Sequence, residues 1–259
     1  MLSKTEQAKY LNRELTSIRK FLVGLKSAEP GKKQIHDVRI NIKKIVALIE
    51  LNKIRGYQAG NLPLLGMRSL FKTTGAIRSS QIILNNLGKS EFDNNKIYEH
   101  HEEIVKTNAR KLVDQASAHL KMLFAFRNEM TLKKLHALQN SEILLYHDLK
   151  AEYLKQVFKT PLNPGHLHEG RKQIKHILYI QEMITVSLRK QLPFNMKNLE
   201  LLQAIIGKWH DTVMFINCLH EFGVEKKNRD LKEWISKEKE QFTEISLFRT
   251  DKNNQIFIP

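Results

Sequence analysis

The chain is predicted to be all-α, built as two copies of one helical unit. Three observations carry this. Apolar residues recur at helical spacing along nearly the whole chain, and no period-two run of any length interrupts them. Pro and Gly are scarce, 6 and 11 in 259 residues, and neither occurs between Lys89 and Thr160. That stretch lacks ordinary turn chemistry and therefore favours long helices. Third, two separate motifs recur at one offset of 132 residues.

The elements follow from the breaks. A first helix over 3–27 ends at "SAEPGKK", and a second over 34–55 ends at "RGYQAGNLP". A third over 62–87 ends at "NLGKSEFDNN". A fourth over 92–128 and a fifth over 130–159 follow without Pro or Gly between them, and the fifth ends at "TPLNPGHL". Asn140-Ser141-Glu142 is an alternative start for the fifth, because Asn and Ser cap helices well. A sixth over 167–190 ends at "KQLPFN", a seventh over 196–221 ends at "EFGVEKKN", and an eighth covers 226–247.

The repeat is read by superposing segments. "IHDVRINIKKIVALIE", from Ile35, laid over "LHEGRKQIKHILYIQE", from Leu167, matches His36 with His168, Arg39 with Arg171, Lys43 with Lys175 and Glu50 with Glu182. "LFKTTGAIRSSQIIL", from Leu70, over "LQAIIGKWHDTVMFI", from Leu202, matches Gly75 with Gly207 and Arg78 with His210. Both matches hold the same offset with no gap. The expected organisation is one domain over 1–259, with repeat one at 1–128 and repeat two at 129–259, each of four helices.

Helix geometry turns the first motif into a surface. Each residue advances about 100°, so with His36 at 0° Arg39 falls at about 300° and Lys43 at about 340°. Ile35, Val38, Ile42, Ile45, Val46 and Ile49 fall between about 180° and 280°. The basic stripe thus borders the apolar seam instead of opposing it. His168, Arg171 and Lys175 border Leu167, Ile174, Ile177 and Leu178 in the same way. If the copies bring these stripes together, the cations repel unless water or an anion lies between them. The alternative is that Arg and Lys snorkel from the edge of a core.

Composition sets which partners suit such stripes. Lys plus Arg number 43 against 27 Asp plus Glu, a formal net charge of +16. A balance this basic attracts polyanions: nucleic acid, an anionic surface or a phosphate polymer. The single Cys218 leaves no intramolecular disulfide and fits a reducing compartment. There is no apolar run of about 18 residues for a membrane span. The start "MLSKTEQAKYLNREL" has no signal-peptide pattern, so a cytoplasmic protein is expected.

The two motifs resemble those of the CHAD family, the conserved histidine α-helical domain. "IHDVRINIKK" and "LHEGRKQIKH" carry the resemblance, each followed 39 residues after its His by "GAIRS" or "GKWHD". It covers nearly the whole chain. It implies two four-helix bundles related by a pseudo-two-fold axis, and inorganic polyphosphate held in a basic groove or pore between them. It implies no catalytic activity. No cofactor and no metal are expected, and the expected location extends to polyphosphate granules. Position by position, the implied phosphate contacts are His36, Arg39, Lys43 and Arg78 in the first copy. In the second they are His168, Arg171, Lys175 and, with Asp211 beside it, His210. The chain departs from the family pattern in three places. The usual Arg-Asp pair is Arg78-Ser79 and His210-Asp211; His176 stands where Arg or Lys is common; Gly170 replaces the apolar residue supplied by Val38. The site is therefore expected to be asymmetric.

Other readings are weaker. "EHHEE" at 99–103 puts adjacent His residues about 100° apart on a helix, which suits a solvated face better than a metal site. "HLH" at 166–168 would need further ligands. Trp209 and Trp234 read as core. No H-E-x-x-H, C-x-x-C, G-x-x-x-x-G-K-[ST] or G-x-S-x-G is present. Non-specific RNA binding is the main alternative to polyphosphate, since charge alone suits both. Bases stack on aromatic rings and phosphate chains do not, and the two stripes contain no aromatic residue; Tyr179 lies at about 20° by the same helix count but is matched by Ala47 in the first copy. A phosphoryl-transfer enzyme would need a metal or a general base beside the cations. Asp37 and Glu169 lie off the basic face.

Overall fold

A computed structural model describes residues 1–25, 29–55, 61–90, 95–130, 135–159, 161–224, 228–250 and 254–257. The described residues form helices joined by turns and short irregular stretches, with two isolated β-bridges, Leu2 to Leu138 and Phe194 to Phe257, and no strand. The chain divides into two compact units. Unit 1 comprises Met1–Asn85 and Asn94–Asn140; unit 2 comprises Asn86–Asp93 and Ser141–Pro259.

Unit 1 is built from α1 (Lys4–Gly24), α2 (Lys32–Asn52), most of α3 (Asn61–Leu87) and α4 (Asn95–Glu129), with a 3-10 turn at Lys53–Arg55. Ser3 starts α1 with a capping box: its hydroxyl accepts from the Glu6 N–H, and the Glu6 carboxylate accepts from the Ser3 N–H at 2.7 Å. This reciprocal pairing satisfies two backbone donors that a helix start leaves open. The buried faces follow the helical period. Leu11, Ile18 and Leu22 of α1, Ile35, Ile45 and Leu48 of α2, Leu70 and Ile77 of α3, and Ile97 and Leu112 of α4 are all buried.

Unit 2 is built from α5 (Asn140–Val157), α6 (Pro164–Ile180), the single turn α7 (Val186–Arg189), α8 (Met196–Glu221) and α9 (Arg229–Thr250). Asn163 caps α6 by accepting from the Gly165 N–H, and Pro164 follows where its missing N–H costs nothing. Ile143, Leu154, Leu167, Ile174, Ile177, Leu199, Ile206, Phe215, Leu231 and Ile245 make its core.

Two expected helices need correction. The fifth does not run over 130–159: residues 135–139 are not helical, and Leu138 exchanges both backbone hydrogen bonds with Leu2, at 2.8 and 2.9 Å. The helix starts at Asn140, the alternative start. The sixth does not run to 190. It ends at Ile180, and Thr185 caps a new turn by accepting from the Leu188 N–H. No described helix is long and apolar enough to cross a membrane.

Candidate anion-binding sites

Each unit holds one cluster built on the sequence motifs. In unit 1, α2 carries His36, Arg39 and Lys43, and α3 carries Phe71, Gly75 and Arg78. Arg39 is half-buried at the border of the α2 seam, as the helix geometry requires. Its Nη1 donates to the Phe71 carbonyl at 2.7 Å, and its guanidinium lies 4.0 Å from the centre of the Phe71 ring. The Lys43 ammonium sits 5.9 Å from the same ring. Burial, and then the charge of Arg78, push the Arg39 pKa down to about 10. Arg39 therefore stays cationic at neutral pH while sharing its surroundings with a second cation. Among the described residues no carboxylate pairs with Arg39 or Arg78. His36 is exposed on the first turns of α2.

In unit 2, α6 carries His168, Arg171 and Lys175, and α8 carries Gln203, Gly207 and His210. Arg171 repeats the contact of Arg39: its Nε donates to the Gln203 carbonyl at 3.1 Å, 32 residues along the chain in both cases. Phe71 and Gln203 occupy matched positions at the 132-residue offset. Arg171 is held below its ordinary pKa by burial, with Asp211 opposing the shift. His168 stacks on His210, ring centres 4.5 Å apart and planes 26° from parallel. Burial first, then His210, Lys172 and Arg171, push His168 down to about 4 against Glu169, so it is neutral at pH 7. Its Nδ1 is buried with no hydrogen-bond partner among the described residues. His210 Nδ1 lies 3.8 Å from the Asp211 carboxylate. Lys175 is half-buried one turn beyond Arg171.

The two clusters thus differ in chemistry. Unit 1 presents fixed cations over an aromatic ring. Unit 2 presents Arg171 and Lys175 beside a stacked histidine pair with a carboxylate adjacent. Sequence reading missed Phe71, because it lies off the stripe helix; its position four residues before Gly75 was the available signal. Tyr179, near the stripe by helix count, is buried enough that its phenol rises to about 12. Of the "EHHEE" pair, His100 is exposed as expected, but His101 is buried and shares a 3.1 Å hydrogen bond with Ser80. Trp209 and Trp234 are buried as expected, Trp209 donating to Glu238 at 2.6 Å. Among the described residues no group of three or more His, Cys, Asp or Glu side chains is arranged to hold a metal ion.

Fold and clusters describe an all-helical protein with cationic surface sites and an Arg-carbonyl contact that recurs. The chain is similar to a solved structure, the crystal structure of the CHAD domain from the plant Ricinus communis. The TM-score is 0.66 at 15% sequence identity, covering 96% of this chain and 88% of that one. The chain has the CHAD-domain fold. No protein-family model matches the sequence, and no curated protein matches it significantly.

Proposed function

We propose that the protein binds inorganic polyphosphate without transforming it, with both clusters contributing. The observation that carries this reading is the Arg39–Arg78 pair: two cations share a half-buried site, and among the described residues no carboxylate neutralises them. An arrangement of this kind is costly unless an anion completes it. Arg suits the task because its planar fork matches phosphate oxygens two at a time, and Lys43 adds a mobile charge. The fold of the CHAD domain and the doubled motif support the same ligand. The proposal includes the finer arrangement that the resemblance implies: duplicated four-helix repeats at 1–128 and 129–259, with the polymer in a basic groove or pore lined by His36, Arg39, Lys43, Arg78, His168, Arg171, Lys175 and His210. It also includes a cytoplasmic location on polyphosphate granules.

RNA is the competing ligand. The Phe71 ring is the one feature that favours it, as a stacking platform, but the Arg39 guanidinium already covers one face of that ring. The deciding experiment is titration with long-chain polyphosphate and with single-stranded RNA of matched phosphate count, at near-physiological salt. The Arg39→Ala/Arg171→Ala double variant is run beside the wild type. Tighter binding to polyphosphate, with a large loss in the variant, supports the proposal. Equal binding to both polymers, untouched by the variant, assigns the attraction to diffuse charge and ends it.

A further inference from the structure

Gly75 and Gly207 are helical glycines well inside α3 and α8, where glycine is unfavourable against alanine. Both lack a turn or a positive φ to excuse them. Their surroundings give the reason. A Cβ on Gly75 would lie 2.8 Å from Arg39 Nη1, and a Cβ on Gly207 would lie 2.6 Å from Arg171 Nη2. In a helix the Cα–Cβ bond leans toward the N-terminus, over the carbonyl four residues back. Those carbonyls belong to Phe71 and Gln203, the acceptors used by Arg39 and Arg171. A side chain at either position would occupy the space through which the guanidinium reaches its carbonyl.

We propose that Gly75 and Gly207 are positioning residues that open a slot for one edge of the Arg39 and Arg171 guanidinium groups, so that their remaining N–H donors are fixed for a phosphate oxygen pair. This rests on the polyphosphate reading above and adds residues that touch no ligand. Each guanidinium has five N–H donors. Among the described residues a single backbone carbonyl accepts from each. Anchoring one edge removes side-chain freedom before the ligand arrives, and preorganisation of this kind raises affinity without a new contact. The slot is specific in shape to a planar group. A slender ammonium in its place would not fill it.

The test separates positioning from packing. In Gly75→Ala and Gly207→Ala the atoms displaced are the far ends of flexible side chains, so the helices keep or gain stability. The expected result for Gly75→Ala/Gly207→Ala is a loss of polyphosphate affinity of about tenfold, with an unchanged or raised melting temperature. In an Arg39→Lys/Arg171→Lys background the same two alanines should cause almost no further loss. A fall in melting temperature alongside affinity would make the glycines packing residues and overturn the inference. So would unchanged affinity in the alanine variant while Arg39→Ala/Arg171→Ala binds weakly, and in that case the polyphosphate reading survives. If Arg39→Ala/Arg171→Ala also binds as wild type, the polyphosphate reading itself has failed.

Discussion

At the residue level, the two clusters use one Arg contact and then diverge. Phe71 supports Arg39 and Lys43 through its ring face, whereas Gln203 offers Arg171 a carbonyl and no ring. Phe71→Leu should therefore weaken polyphosphate binding by about 0.5–1 kcal/mol, roughly two- to fivefold. Phe71→Trp should preserve it, and isothermal titration distinguishes the two. His147 gives a second prediction, on stability. It is fully buried in α5, its Nδ1 donates to the Ile143 carbonyl at 2.7 Å, and its Nε2 has no partner among the described residues. Burial pushes its pKa from 6.5 to about 4. The unfolded chain therefore binds a proton near pH 6.5 that the folded chain refuses until about pH 4. Its contribution to stability is complete above pH 6.5 and is lost as pH falls through that window. Melting curves at falling pH should show a shallower acid slope for His147→Phe than for wild type.

At the level of single elements, the helical glycines separate by what stands against them. Gly170 on α6 faces Val157, whose Cγ1 would lie 2.7 Å from an added Cβ, with the Phe158 ring at 3.5 Å. Val157 and Phe158 are buried core residues and cannot swing away as an arginine tip can. Gly170→Ala should therefore destabilise the protein by about 1–3 kcal/mol despite alanine's better helix propensity. Urea unfolding should show the loss, opposite in sign to Gly75→Ala. Helix propensity alone counts Gly170 as a weak point of α6. The structure shows the glycine as one half of a packing pair, matched in α2 by buried Val38. The cap of α6 is a separate lever. Asn163→Ala removes the acceptor of the Gly165 N–H and should cost about 1 kcal/mol.

For the molecule as a whole, a charge of +16 sets a long-range attraction for any polyanion. Polyphosphate affinity should thus fall steeply and log-linearly with salt, as for proteins on nucleic acids. The clusters add a pH dependence that diffuse lysine charge does not. His168 is neutral at pH 7 beside His210, Lys172 and Arg171, and a bound polyanion favours its protonated form. Binding should therefore take up a proton, and affinity should rise as pH falls below 7. His168→Gln should flatten that rise, while the salt dependence stays near that of the wild type.

Helical class, most element boundaries, the two motifs and their constant offset were legible in the chain, because each depends on neighbours within a few turns. Periodicity places a residue on a face, and scarce Gly and Pro mark where faces end. The same local rules put Arg39 and Arg171 at the border of a seam. They could not show what lies across that border. The Phe71 ring, the carbonyls that receive the two guanidinium groups, the stacking of His168 on His210 and the clash awaiting a side chain at Gly170 all join residues distant in sequence. The break at 135–139 belongs with them, since Leu138 leaves the helix to pair with Leu2 at the far end of unit 1. Packing of separate helices decides such contacts, and the spacing of residues along one helix carries no record of its partner's shape.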